Sequence, residues 1–206
     1  MFIPNGLFVY VCFMNIKHDR EKVLKEGVEL FWCKGFSNLG VDEICKTTGM
    51  TKGAFYNAFK SKENFLLSCI EAYGNMNTNY LKEQLSGDKT KAIDRILKMY
   101  VAMLGDQPNM NFKGCMTNNI MSEIGSINEV VSSATADAFN SLLEIIEPVV
   151  QKAQIEGDIS SSLNSQSVTE LIHSTFFGVL TRAKSTKDHE MAISTMTLLI
   201  QSLKTI

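Results

Sequence analysis

The chain has 206 residues, of which 45% are hydrophobic and 20% charged, with a formal net charge of −2. That length and balance fit one globular domain or two small ones, and the slightly acidic sum argues against a uniformly basic nucleic-acid coat. The cysteines number five, an odd count with no C-x-x-C pair, which argues against a disulfide framework or a zinc site and fits a reducing compartment.

Residues 1–14, MFIPNGLFVYVCFM, are apolar and uncharged. The run is shorter than the about 20 residues a bilayer span needs, and it lacks the basic leader and small-residue cleavage site of a signal peptide. The expectation is that Met14 is the true initiator, followed by a polar, basic lead-in; the alternative is a loosely packed arm starting at Met1. Residues 18–34 read as a first helix, with Val23, Gly27, Leu30 and Phe31 at helical spacing and Trp32 packing between helices. Gly35 ends it.

The stretch 41–62, VDEICKTTGMTKGAFYNAFKSK, reads as two short helices joined by a tight turn. Val41, Ile44 and Cys45 share one face. Gly49 supplies the left-handed angle that turns the chain, and Thr51 caps the next helix. Phe55 and Phe59 point into a core, while Lys52, Gly53, Tyr56 and Asn57 lie largely on the opposite side. That exposed face is short, cationic and rich in hydrogen-bonding groups, a chemistry suited to phosphates and base edges.

Ser61 caps a fourth helix, with Glu63 near the positive end of its dipole, carrying Phe65, Leu66, Ile70 and Tyr73 to about residue 85. Ser86-Gly87-Asp88 breaks the chain. A fifth helix spans 90–104, a loop containing Pro108 spans 105–112, and Gly114-Cys115-Met116 opens a sixth. Residues 129–156 form a long seventh helix in which Pro148 predicts a kink or break. The last two helices span 165–184 and 188–203, mostly apolar on one side. Helical periodicity throughout predicts an all-α fold. Charge divides along the chain: residues 15–70 hold nine Lys and Arg against seven Asp and Glu, so the remainder carries the net acidity.

The residues Leu30-Phe31, Gly35-Phe36, Val41-Asp42-Glu43-Ile44, Gly49-Met50-Thr51-Lys52-Gly53, Phe55-Tyr56, Phe59 and Ser61-Lys62-Glu63 together resemble the DNA-binding domain of the TetR family of bacterial transcriptional regulators. The resemblance runs ungapped over roughly fifty residues and rests most on the run Lys-Gly-x-Phe-Tyr-x-x-Phe-x-Ser-Lys-Glu. It implies a three-helix helix-turn-helix head over residues 15–64 and a C-terminal helical bundle over 65–206 for ligand binding and dimerisation. Where the family often carries hydroxyl residues, Leu39-Gly40 stand here, which puts one side-chain phosphate contact in doubt. Residues 114–123 resemble a Gly-Cys-x-x-x-Asn-x-x-x-Glu run of the inducer-binding body in some members.

The resemblance implies a cytoplasmic DNA-binding regulator, a repressor released from its operator by a small-molecule inducer. Thr51, Lys52, Gly53, Tyr56, Asn57 and Lys62 are the expected DNA contacts, with Tyr56 and Lys62 positioned on phosphate. A homodimer through residues 165–204 is expected to read pseudo-palindromic double-stranded DNA, with recognition helices about 34 Å apart. The body is rich in methionine and aromatic residues, which adapt to varied ligands. The expected pocket residues are Met103, Cys115, Met116, Asn119, Phe139 and Phe176, with Met76, Met99, Tyr100 and Met121 as further soft or aromatic neighbours.

Cys115 follows Lys113 at a helix start, and both features favour thiolate, which makes it a candidate thiol sensor; the competing reading is a small packing residue beside the pocket. Glu170 and His173 form an E-x-x-H pair, but only one copy exists, so His173 reads as a surface or interface histidine rather than a metal ligand. No G-x-S-x-G, P-loop or Rossmann pattern appears. No metal, cofactor, catalytic residue or membrane span is therefore expected. The rival reading is a small-molecule binding protein or enzyme on a helical bundle.

Overall fold

The computed structural model describes residues 19–87 and 89–204, so the readings placed on residues 1–14, on Cys12, Met14 and His18, and on Asp88 lie outside the described residues. The described residues form helices α1 (Arg20–Lys34), α2 (Val41–Thr48), α3 (Lys52–Phe59), α4 (Lys62–Leu85), α5 (Ala92–Gly105), α6 (Met116–Ile124), α7 (Glu129–Ile155), α8 (Ser165–Thr186) and α9 (His189–Ser202). The fold is all-α.

Side-chain caps set many of the helix starts. Asp19 accepts from Glu21 N at 3.0 Å, Thr51 from Ala54 N at 3.1 Å, Ser61 from Asn64 N at 3.0 Å and Asn128 from Val131 N at 3.0 Å. Each such bond satisfies one of the amides a helix start leaves unpaired. At α2 the cap is Gly40, with no side-chain bond, and Leu39 beside it is buried. The cap is thus backbone only, and Leu39 before it fills the core.

The head closes around aromatic rings. Phe65 of α4 meets Phe59 at 4.7 Å, Phe55 at 5.4 Å and Phe31 at 5.8 Å between centroids. These rings are buried, and truncating a buried phenylalanine costs about 3–5 kcal/mol. Helix α1 lies so close to α4 that a Cβ on Gly27 would stand 2.4 Å from Phe65 Cζ. Only glycine permits that approach.

Helix α4 is continuous across the expected boundary at residue 64. It packs on α1 of the head and on α5 and α7 of the body. Helix α7 also passes through Pro148 without the break that was one of the two expectations there. Pro148 is exposed, so the carbonyl it leaves unbonded faces water rather than the core. Among the described residues, no helix is long and apolar enough to cross a membrane.

Candidate functional site

Two candidate sites stand out, one on the head and one in the body. The first is the outer face of α3. Lys52, Gly53, Tyr56 and Asn57 are all exposed there, and Tyr56 is 47% exposed although it is aromatic. Thr51 uses its oxygen in the cap and keeps its hydroxyl proton free. Lys52 ion-pairs with Asp42 at 2.6 Å, but both side chains lie in water, where such a pair is easily exchanged for another anion. Thr51, Gly53 and Asn57 also border a shallow groove with Arg20 and Met50. Arg20 lies over the Phe59 ring at 5.8 Å. Sequence reasoning did not single out Arg20; the basic lead-in to α1 was the only signal for it.

Lys62, expected on phosphate, makes different bonds. Its Nζ donates to Phe36 O and Leu39 O, each at 2.9 Å, and sits 4.0 Å from the Phe36 ring centroid. One proton of the ammonium remains for an outside partner. The lysine first holds the α1–α2 loop.

The second site is a cavity of about 280 Å³ in the body. Helix α1 contributes Trp32 to its wall, α4 contributes Tyr73, Met76, Asn77 and Tyr80, and α8 contributes His173, Phe176, Phe177 and Leu180. Of the expected pocket residues, Met103, Cys115 and Phe176 line it. Met116, Asn119 and Phe139 do not, and each is engaged elsewhere. Met116 is fully buried and its N–H points to Tyr73 Oη at 3.4 Å. Asn119 donates to Lys113 O at 2.9 Å, fixing the turn before α6. Phe139 packs on Phe177 at 5.4 Å, behind the wall.

His173 is not a surface histidine. It is 2% exposed, lies on the inner stripe of α8 with Ile172 and Phe176, and its Nδ1 is 2.8 Å from Tyr100 Oη. Burial pushes its pKa down to about 4, so the ring is neutral near pH 7. Glu170 instead faces solvent and accepts from Ser174. The spacing of His173 from Val168, Thr169, Ile172 and Phe176 was the available signal for its burial.

The thiolate expectation for Cys115 also fails. Burial pushes the thiol up, although the Asn118 backbone, the Tyr73 hydroxyl and Thr117 pull the other way. The cation expected to help is committed: Lys113 Nζ bonds both Glu29 carboxylate oxygens, at 2.8 and 2.9 Å, and lies over the Trp32 ring. Cys115 is the N-cap of α6 and a neutral part of the cavity wall.

Three clasps tie the cavity region to the head. Trp32 Nε1 donates to Gly114 O at 3.1 Å beside the Glu29–Lys113 pair, so α1 is itself a wall of the cavity. Glu123, near the far end of α6, accepts from Phe36 N at 2.9 Å and Ser37 N at 2.7 Å. Burial alone would raise the Glu123 carboxyl, but the bonds from Ser37 and Phe36 and the nearby Lys62 charge hold it below its usual value. Asn128 Nδ2 donates to Glu63 Oε2 at 2.6 Å, joining the start of α7 to the start of α4. Helix α6 therefore begins at the cavity and ends on the loop that carries α2.

Residues 23–69 match the family described as "Bacterial regulatory proteins, tetR family", and residues 91–199 match "Tetracyclin repressor-like, C-terminal domain". The transcriptional regulator AcuR of Cereibacter sphaeroides is 26% identical over 166 residues, covering 80% of this chain and 75% of that protein. The HTH-type transcriptional repressor NemR of Escherichia coli K12 is 24% identical over 178 residues, covering 85% and 89%. A crystal structure of a regulatory protein TetR from Rhodobacter sphaeroides superposes with a TM-score of 0.82 at 22% identity, covering 90% of this chain and 98% of that one.

Proposed function

The chain belongs to the tetR family of bacterial regulatory proteins and is a DNA-binding transcriptional regulator, and from that premise we propose that it works in the cytoplasm as a homodimeric repressor whose operator contacts lie on α3. Tyr56 and the Thr51 hydroxyl hold phosphate. Lys52 exchanges Asp42 for phosphate or a base edge, and Asn57 reads base edges. Gly53 lets the helix approach the DNA backbone. Lys62 acts chiefly by fixing the α1–α2 loop, and Arg20 adds a phosphate contact at the groove edge.

The dimer forms through residues 165–204. What supports this is an apolar outer face that one chain leaves uncovered, with Leu171 47%, Met191 55% and Leu198 69% exposed. A two-fold pairing of α8 and α9 covers these residues and presents two recognition helices to a pseudo-palindrome.

The observation that carries the regulatory reading is the connection between cavity and head. Trp32 is a helix α1 residue in the cavity wall, and α6 runs from Cys115 at the cavity to Glu123 on the Phe36–Ser37 amides. A small molecule that moves α1 or α6 to fit changes the position of the heads, and with it operator affinity. Glu123→Ala in the full chain, which frees α6 from the Phe36–Ser37 amides, tests that connection by operator titration: weakened operator binding is expected, and unchanged operator affinity would refute it.

A further inference from the structure

We infer that the cavity selects an uncharged, largely apolar small molecule through one carbonyl-class acceptor, which accepts a hydrogen bond from the His173 Nε2–H. The inference rests on reading that cavity as the effector site.

The tautomer follows from counting unmet groups. Tyr100 is fully buried and its hydroxyl meets His173 Nδ1 at 2.8 Å. If the hydroxyl donates, Nδ1 accepts and the ring proton sits on Nε2, leaving one unmet group. If Nδ1 donates instead, both the phenol hydrogen and the Nε2 lone pair are stranded in an apolar interior. Leaving a buried polar group unpaired costs about 1–3 kcal/mol, so the first arrangement wins. A neutral ring has only one proton to place.

Nε2 is buried and has no hydrogen-bond partner. The rings of Phe139 at 5.2 Å and Phe177 at 4.7 Å flank the imidazole and offer only π faces, which are weak acceptors. Of the other polar groups of the wall, Trp32 Nε1 bonds Gly114 O, Gln107 bonds Met103 O and Gly114 N from its two ends, and the Tyr73 hydroxyl accepts from Met116 N, while Asn77 and Tyr80 add polar atoms to the rim of an otherwise apolar lining. The free donor is therefore a demand that the bound molecule has to meet.

The lining also fixes the charge of the occupant. Among the described residues, no Lys or Arg lines the cavity, and Asp106 stands at its wall. An anion would lose its hydration with no counter-charge and a carboxylate nearby. An ammonium has no acceptor to offer His173. A pure hydrocarbon fits the walls but leaves the Nε2 proton unmet. A compact ketone, aldehyde, enone or ester satisfies both the walls and the donor.

The test titrates acetophenone, its olefin isostere α-methylstyrene, and benzoate into the full-chain protein by calorimetry, with His173→Phe and His173→Gln alongside. Acetophenone should bind wild type about tenfold tighter than α-methylstyrene, one net hydrogen bond's worth, with benzoate weakest. The ratio should fall to about one in His173→Phe and recover in part in His173→Gln, which keeps an N–H donor. Nitrogen NMR of the wild-type ring, which needs no variant, should place the proton on Nε2. Equal affinity for ketone and olefin, preference for benzoate, no binding of acetophenone, or a proton on Nδ1 would each overturn the inference. Operator binding measured on the same preparation with and without saturating acetophenone separates the two readings: if operator affinity responds to small molecules but the ketone preference is absent, the ligand class alone falls; if the ketone preference holds while operator affinity does not change, the effector-site reading falls.

Discussion

Glu123 bridges two parts of the chain that sequence distance separates, and replacing it isolates the clasp between body and head. Its carboxylate accepts two backbone N–H bonds from the α1–α2 loop, at 2.9 and 2.7 Å. Bonds to a charged acceptor contribute about 1.5–3 kcal/mol each; because Glu123 is only partly buried and Ser37 is exposed, a discounted total is about 2 kcal/mol. Glu123→Ala should therefore lower the melting temperature by about 4–8 °C in a chain of this size. Its folded pKa lies below the usual value, so this stabilisation is whole above pH 4.5 and is lost as pH falls through the folded value; a measurement at pH 7 sees all of it. Gly35 supplies the second arm of a double-mutant cycle. At φ +73° and ψ −173° it occupies a region nearly confined to glycine, and a Cβ there would stand 2.4 Å from Glu123 Oε2. Gly35→Ala should cost backbone strain of about 1–3 kcal/mol and also expel the carboxylate. In the Glu123→Ala background only the strain remains, so the two losses should fall short of additive by about 2 kcal/mol. Chemical denaturation of the four proteins reads the cycle, and operator titration should show weakened binding in all three variants. Additive losses, or Glu123→Ala with unchanged stability and unchanged operator affinity, would refute the clasp.

Other expectations follow from the same geometry. Gly53 lies within α3 with open space where a Cβ would go, so Gly53→Ala should raise stability by about 0.5–1 kcal/mol in thermal melts yet weaken operator binding, the methyl group meeting DNA; unchanged affinity would move the contact face elsewhere. His173 has its folded pKa pushed down to about 4 from 6.5, so stability is full above pH 6.5 and falls as pH drops toward 4; between pH 7 and 5 the loss should be about 2 kcal/mol by denaturation and should disappear in His173→Phe. Leu198→Glu, like Leu171→Glu, places a charge on the uncovered α8–α9 face and should give monomers by light scattering and abolish operator binding; a dimeric Leu198→Glu protein would put the interface elsewhere.

Much of the fold was legible because its signals are local. Thr51 and Ser61 announce helix starts through caps that reach only three residues ahead, and Gly49 announces a turn by its own φ of +67°. The exposed face of α3 followed from the same period that buries Phe55 and Phe59. What stayed hidden depends on distant partners. Nothing near Lys62 in sequence reveals that the Phe36 and Leu39 carbonyls will accept hydrogen bonds from its ammonium. Glu123 shows no local sign of the amides it bonds far back in the chain. Cys115 illustrates competition between effects: the helix start and Lys113 are where the sequence puts them, but Glu29 takes the lysine and burial outweighs the helix end. His173 was legible in principle from its stripe, but an exposed Glu170 three residues earlier suggested a pair, and the Tyr100 partner lies 73 residues away.

Whether the chain binds one DNA sequence as a dimer through α3 is read from a titration of the purified chain, monitored by fluorescence anisotropy, against the DNA flanking its own gene and a shuffled duplex of equal composition, across a salt series. Binding should be specific for the flanking DNA and saturate at an even number of chains per duplex. It should weaken steeply with salt, log K falling by about 0.9 per phosphate contact for each tenfold rise in concentration. Tyr56→Phe should lower affinity for both duplexes alike. Equal binding to the flanking and shuffled DNA, or no salt dependence, would contradict the account.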